Sequence, residues 1–250
     1  MTARIIPMNL AVDSVKTMRI AKVKAFLRPI LSRRGKDAFL KSLPRNATVL
    51  DVGCGNNSPF QFKLQRPDLY YIGLDIGDYN QALAPNEYAD RYLITSPEGF
   101  ASEILKFSNS CDAVISSHNI EHCNQPDDVL RAMLKSLRKG GRAYLCFPCE
   151  ESVRFPKRKN TLNFFTDPTH CIVPNFKNIC DTIESEGLKI DFATKRNRPF
   201  ALSVIGLALE PLAFLTKRNM PGGTTWALYG FESIIWASRP DDHARKERIL

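Results

Sequence analysis

No uninterrupted apolar run of about twenty residues occurs anywhere in this 250-residue chain, which excludes a transmembrane helix. The longest approach to one, Ala201 to Leu215, falls short and carries Glu210-Pro211, so a packed or interfacial helix is predicted there. The seven cysteines are odd in number and form no regular framework, which speaks against a disulfide scaffold and for a reducing compartment. Cys146 and Cys149 make a single C-x-x-C with no second pair, so packing is expected of them rather than zinc. Met1 to Leu10 lacks the continuous apolar core and small-residue cleavage site of a secretory leader, and a cytoplasmic location is expected. Internal repeats are absent, which removes solenoids and propellers.

Charge is also missing where it could have been spread. The net charge is +9, yet residues 1–50 hold eleven Lys/Arg against two Asp/Glu, so the remaining 24 basic and 24 acidic residues cancel. The excess therefore belongs to an amino-terminal segment, which could meet RNA phosphate, anionic lipid or an acidic glycan, or simply present a solvated helix face. A hydrophobic share of 44% and a charged share of 24% are those of an ordinary globular protein of one well-buried domain.

What is present is organised around Thr48-Val49-Leu50-Asp51-Val52-Gly53-Cys54-Gly55-Asn56-Asn57-Ser58. Val49, Leu50 and Val52 supply the apolar run of a central parallel strand, and Asp51 sets a carboxylate near its carboxyl end. Gly53 and Gly55 remove Cβ atoms where the chain turns sharply and a ligand can approach the backbone, while Asn56 and Asn57 tolerate left-handed conformations. Roughly twenty residues on, Tyr70-Tyr71-Ile72-Gly73-Leu74-Asp75 is a second strand ending in an acid, where nucleotide-binding α/β units grip a ribose hydroxyl.

These residues resemble the class I S-adenosylmethionine-dependent methyltransferases. Asp51-Val52-Gly53-Cys54-Gly55 is similar to that family's first motif and Asp75 to its ribose-binding acid, with Asn57 where many members have a third glycine. The resemblance implies a Rossmann-like α/β fold: a seven-stranded, mostly parallel sheet with helices on both faces. It also implies S-adenosyl-L-methionine as cofactor, held by Asp51, Gly53, Cys54, Gly55, Asp75, Ile76, Ser117 and His118.

In chain order, residues 1–46 read as a basic helical extension, with a stripe over 14–34 and a short helix over 36–43. The methyltransferase domain spans 47–240 with insertions at 148–174 and 199–223, and 241–250 is a charged tail. Strands are predicted at 91–94, 111–116, 142–147, 188–194 and 231–237, and helices at 59–66, 97–107, 127–137, 175–186 and 200–214. Lys139-Gly140-Gly141 is expected to end the helix over 127–137 with a left-handed cap. Thr95 and Ser96 occupy the turn where the resembled family often has an Asp beside adenine, and a hydroxyl could replace that acceptor.

Three of the four histidines fall where the chemistry is expected; His243 lies in the tail. Ser117-His118-Asn119-Ile120-Glu121-His122 leaves a strand at the carboxyl edge of the sheet, and its H-x-x-E-H also matches inverted zinc peptidases, against which the parallel-sheet context argues. His118, Glu121, His122 and His170 resemble the magnesium cluster of small-RNA 3′-end methyltransferases with one Glu replaced by His. That replacement weakens a hard-cation site, and no metal is expected. The bland alternatives are a helix cap for Glu121 and pocket walls for the imidazoles. His122 is the first candidate for a catalytic base, His170 the second, with Glu121 beside them.

Asp167-Pro168-Thr169-His170 resembles the insertion of methyltransferases of bacterial polysaccharide biosynthesis, which implies O-methylation of a sugar or lipid-linked glycan and a possible peripheral membrane contact. Arg154, Lys157, Arg158 and Lys159 would then meet a phosphate or uronate on the acceptor. The alternatives are an RNA methyltransferase and a non-catalytic binding protein of the same fold.

Overall fold

The computed structural model describes residues 30–77 and 83–241. Most of the basic stripe over 14–34, and the tail after Asp241, lie outside the described residues. The first described helix, α1, is Lys36–Lys41, and it leads into β1 (Thr48–Val52). Then follow α2 (Ser58–Gln65), β2 (Tyr70–Asp75), β3 (Arg91–Ile94), α3 (Phe100–Leu105), β4 (Cys111–Ser117), α4 (Pro126–Ser136) and β5 (Leu137–Pro148). The chain closes with α5 (Phe176–Ser185), β6 (Lys189–Thr194), α6 (Phe200–Thr216), α7 (Thr224–Tyr229) and β7 (Glu232–Ser238).

One seven-stranded sheet results, in the order β3-β2-β1-β4-β5-β7-β6. β1 pairs in parallel with both β2 and β4, whereas β7 runs antiparallel between β5 and β6. Because the chain steps outward from β1 to β3 and then returns to β4, the order reverses between β1 and β4. A crevice opens there at the strands' carboxyl ends. The buried runs of β1 and β4 follow from this central position: residues covered by helices on both sides cannot alternate with polar ones.

Helices cover both faces. On one, Leu50, Leu74 and Val114 pack with Ile104 of α3, Leu130 and Met133 of α4, and Ile183 of α5. On the other, Val49, Tyr71 and Ile115 meet Phe39 of α1 and Phe62 of α2. The Trp236 indole donates to the Arg34 carbonyl at 2.9 Å, tying the start of the described chain to β7.

The structure corrects one local expectation and adds a helix. α4 stops at Ser136, and Gly140-Gly141 lies inside the extended β5 segment, not in a helix cap. Gly140 has φ +74°, and a Cβ on Gly141 would come within 2.8 Å of the Arg138 carbonyl, so the glycines serve a tight bend in a strand. The stretch between Gly223 and the last strand, where no element is predicted from sequence, forms α7, whose Trp226 indole donates to the Thr161 carbonyl.

α6 rests on α7 through its small residues. Gly206 and Ala213 are the buried positions on this helix, and a Cβ on Gly206 would lie 2.3 Å from the Thr224 carbonyl oxygen. Gly206→Val should therefore lower stability in urea by about 1–3 kcal/mol through overpacking. An unchanged midpoint would mean that α6 is not held against α7 in this way.

Candidate functional site

The crevice between β1 and β4 holds a cavity of about 580 Å³, within the usual range for small-molecule sites. Its floor is the turn after β1. Gly53 has φ +73°, and a Cβ there would come within 2.3 Å of the Asn119 amide oxygen, so only glycine lets this turn pass the loop after β4. The Gly53 amide donates to the Leu74 carbonyl at 2.9 Å, and the Gly55 amide donates to Asp75 Oδ2 at 2.7 Å. The Ile76 amide donates to the other oxygen of the same carboxylate at 2.8 Å. Two strand ends are thus stitched together by one acid, which also lines the cavity.

Of the residues expected to hold the cofactor, Gly53, Gly55, Asp75, Ile76 and His118 line this cavity, and Asp51, Cys54 and Ser117 are absent from its wall. Asp51 is buried and accepts a 2.7 Å hydrogen bond from the Tyr71 hydroxyl. Burial pushes its carboxyl above the usual range, against the opposing pull of Lys36 and Tyr71. Cys54 packs into the sheet beside Gly73, its thiol pushed up by burial and by Asp51 and Asp75. Ser117 faces a separate cavity of about 340 Å³ shared with Tyr144, Trp226 and Glu232.

Pro97, Glu98, Phe100 and Ala101 form a further part of the wall. Thr95 and Ser96 do not reach the cavity; Ser96 Oγ instead accepts from the Gly99 amide, closing the turn that starts α3. Glu98 is the acid that sequence reasoning missed, two residues beyond the turn position searched for. Asn119, Asn124 and Gln125 were missed as well. Nothing in their pattern marks them beyond a place after β4.

The histidines separate into two groups. Glu121, His122 and His170 each offer a ligand-type atom within 4.8 Å of the others; His118 instead groups with Cys146 and Glu232. His118 has φ +54° and lies with Nδ1 3.2 Å from Glu121 Oε1 and Nε2 3.2 Å from Glu232 Oε1, its ring stacked on Phe231. Burial by itself would lower its pKa, but Cys146, Glu121 and Glu232 outweigh it and hold the imidazole well above its ordinary value. Glu232 is lowered overall: burial raises it, and His118 more than reverses that. The Cys146 thiol is pushed up to about 11, by burial first and then by Glu232. The His118 ring therefore sits between two glutamates that favour its protonated form.

His122 reaches the cavity wall, and its Nδ1 is 3.1 Å from the Thr169 carbonyl and 3.0 Å from Thr169 Oγ1. Thr169 Oγ1 donates in turn to Asp167 Oδ1 at 2.5 Å, so its lone pairs accept from an N–H on His122 Nδ1. Asp167 is held below the usual carboxylate range: burial raises it, but the Thr169 hydroxyl and amide and the two imidazoles prevail. His170 Nδ1 donates to the Phe164 carbonyl at 2.7 Å. In the neutral imidazole the Thr169 contacts leave His122 Nε2 as an acceptor, whereas His170 Nε2 lies 3.9 Å from Asp167 Oδ2. Glu121 is fully buried, and its Oε2 has no hydrogen-bond partner among the described residues.

The insertion over 148–174 brings Thr169 to the cavity, while Arg154, Lys157, Arg158 and Lys159 do not line it. Arg158 is buried and forms a two-pronged pair with Glu210 of α6, at 2.9 and 2.5 Å, a correction to the expectation that it faces an acceptor.

The family model of a methyltransferase domain matches residues 50–145, from β1 to β5. No curated protein matches the chain significantly. Among solved structures, an S-adenosylmethionine-dependent methyltransferase from Archaeoglobus fulgidus is 19% identical, over 87% of this chain and 93% of that one, with a TM-score of 0.52. One from Mesorhizobium loti is 15% identical over 82% and 97%, with a TM-score of 0.55. Phosphoethanolamine N-methyltransferase 2 of Haemonchus contortus, solved with S-adenosyl-L-methionine, is 14% identical over 81% and 51%, with a TM-score of 0.54. At such identities the likeness to these structures is one of fold.

The His118 bridge predicts a pH signature. The raised His118 pKa contributes stability that is complete below its unfolded value of 6.5 and is lost as pH rises through the folded value. The lowered Glu232 pKa contributes stability that is present above 4.5 and is lost as pH falls through its folded value. The Tm advantage of the parent over His118→Asn should therefore be greatest between pH 4.5 and 6.5 and shrink on both sides. A difference that is flat with pH refutes the bridge.

Proposed function

We propose, from the premise that this chain is an S-adenosyl-L-methionine-dependent methyltransferase, that it O-methylates a sugar hydroxyl, free or on a lipid-linked glycan, in the cytoplasm. The cavity fits the cofactor: a glycine turn and the Asp75 carboxylate share its wall, with the apolar side chains of Ile76, Phe100 and Val129 beside them. When bound, the cofactor supplies an electrophilic methyl group on a sulfonium. What remains for the protein is to orient the acceptor, exclude water and remove one proton.

The observation that carries this reading is the Asp167–Thr169–His122 chain. By fixing the proton on His122 Nδ1, it leaves Nε2 as the acceptor for a hydroxyl proton. A carboxylate oxygen of buried Glu121 lies within 4.8 Å of a ring nitrogen of His122, suited to stabilise the imidazolium that this transfer creates, and His170 packs against His122 with ring centroids 4.8 Å apart. The glycan is favoured over RNA because the basic residues of the insertion stay off the cavity wall and Arg158 is occupied by Glu210. The resemblance of Asp167 to His170 to the polysaccharide enzymes points the same way. RNA keeps the support of the basic leader.

Radiolabelled methyl transfer to a glycolipid extract and to total RNA tests the acceptor. Label is expected in the glycolipid fraction, with kcat reduced roughly 10²–10⁴-fold by His122→Ala. Label in RNA alone overturns the glycan assignment. Transfer is expected to survive EDTA, since His118 is turned to Glu232. Abolition by EDTA with rescue by Mg²⁺, Mn²⁺ or Zn²⁺ would instead make Glu121, His122 and His170 ligands.

A further inference from the structure

Helix α6 presents an apolar face that nothing among the described residues covers. At about 100° per residue, its docked positions Leu202, Ser203, Gly206, Leu209, Glu210 and Ala213 fall on one side, and the exposed positions sweep an arc of roughly 200° on the other. Phe200 is 84% exposed, Leu207 64%, Phe214 71% and Leu215 77%, with Val204 and Leu212 about half exposed. No charged residue occurs on this arc. The helix's one acid, Glu210, faces the body, where Arg158 and the Tyr229 hydroxyl neutralise and bond it. Pro211 lies on the exposed arc, where its ring does not disturb packing against α7.

Basic residues stand at both ends of the face. Lys195 and Arg198 precede the helix and Lys217 and Arg218 follow it, all four exposed. The described chain also begins here: Leu31 and Ser32 share a cavity wall with Pro199 and Leu202. The 29 residues before Ile30 carry six Lys/Arg and one Asp.

We infer that α6 is a docking face for an anionic bilayer surface, lying in the plane of the interface with its apolar arc among the acyl chains and its basic ends among the headgroups. At 17 residues it is about 25 Å long, suited to lie on a membrane and too short to cross one. A second copy of the chain is a poorer occupant. Two α6 helices paired about a two-fold axis would set basic ends against basic ends in either sense: Lys195 and Arg198 against Lys217 and Arg218 if antiparallel, each pair against its own copy if parallel. Anionic lipid complements both ends at once. Docked in this way, α6 carries α7 with it, and Trp226 of α7 lies 5.1 Å from the His118 ring at the edge of the cofactor cavity. The cavity is thus held close to the lipid surface.

The inference stands on this surface and needs no methyl transfer to be read, so its failure leaves the acceptor reading intact, and the reverse holds too. The test is co-sedimentation of the full chain with vesicles of phosphatidylcholine alone and with roughly 30% phosphatidylglycerol. Binding is expected to the anionic vesicles and to fall with salt. A Leu207→Ser, Phe214→Ser, Leu215→Ser triple variant, altered only at exposed positions, should lose at least about tenfold in partition. Lys217→Asn with Arg218→Gln should weaken the preference for anionic lipid. Three outcomes overturn the inference: no binding of the parent to either vesicle, undiminished binding of the triple variant, or a parent dimer that the triple variant converts to monomer, which would assign the face to a second copy.

Discussion

A missing Cβ at Gly53 is the constraint on which the site depends. The turn after β1 must pass beneath the loop after β4, and the Asn119 side chain fills the space where any other residue would carry its Cβ. With φ at +73°, even a small side chain would meet both a steric clash and an unfavourable backbone well. This close passage lets the Gly55 amide reach Asp75, and the shared carboxylate then fixes the ends of β1 and β2 relative to each other. The crevice at the sheet's reversal point is therefore set by backbone contacts, and its lining side chains are added to a rigid frame.

Much of this frame was legible because it rests on local signals. The apolar run of β1, the two glycines and the acid at the end of β2 each have one physical reading, and together they place the sheet, the turn and Asp75 correctly. Residues whose role depends on direction were less legible. Asp51 and Ser117 stand near strand ends as cavity residues do, yet a strand sends alternate side chains to opposite faces, and these two point away. Glu98 was missed for a related reason: the turn that begins α3 is closed by Ser96, which moves the wall-forming acid two residues on. Gly140-Gly141 looked like a helix cap because sequence cannot tell a left-handed cap from a left-handed bend within a strand. For Arg158, composition of the insertion gave no hint that a glutamate 52 residues later would bury it.

The two histidine groups share Glu121, whose oxygens are used unequally. Oε1 faces His118 at 3.2 Å, Oε2 has no hydrogen-bond partner among the described residues, and one carboxylate oxygen lies within 4.8 Å of ligand-type atoms of His122 and His170. A buried carboxylate oxygen left unpaired costs on the order of 1–3 kcal/mol or more, so a fold optimised for stability alone would have supplied a donor. On the proposed mechanism, the cost falls when His122 takes up the acceptor's proton, so the orphaned oxygen opposes the ground state and favours the protonated one.

His118 has the complementary position. Its two ring nitrogens are engaged by Glu121 and Glu232, so neither is turned toward an acceptor to serve as a base. Its ring instead forms part of the wall of the larger cavity, while Glu232 lines the smaller one. Phe231 and Trp226 pack against the same ring, which connects it through α7 to α6. His118 is thus the residue of the larger cavity's wall that touches α7, and two carboxylates hold its ring there. The unusual φ of His118 is compatible with that role: a residue held in the left-handed region by two charged partners and a stacked ring has few other places to go.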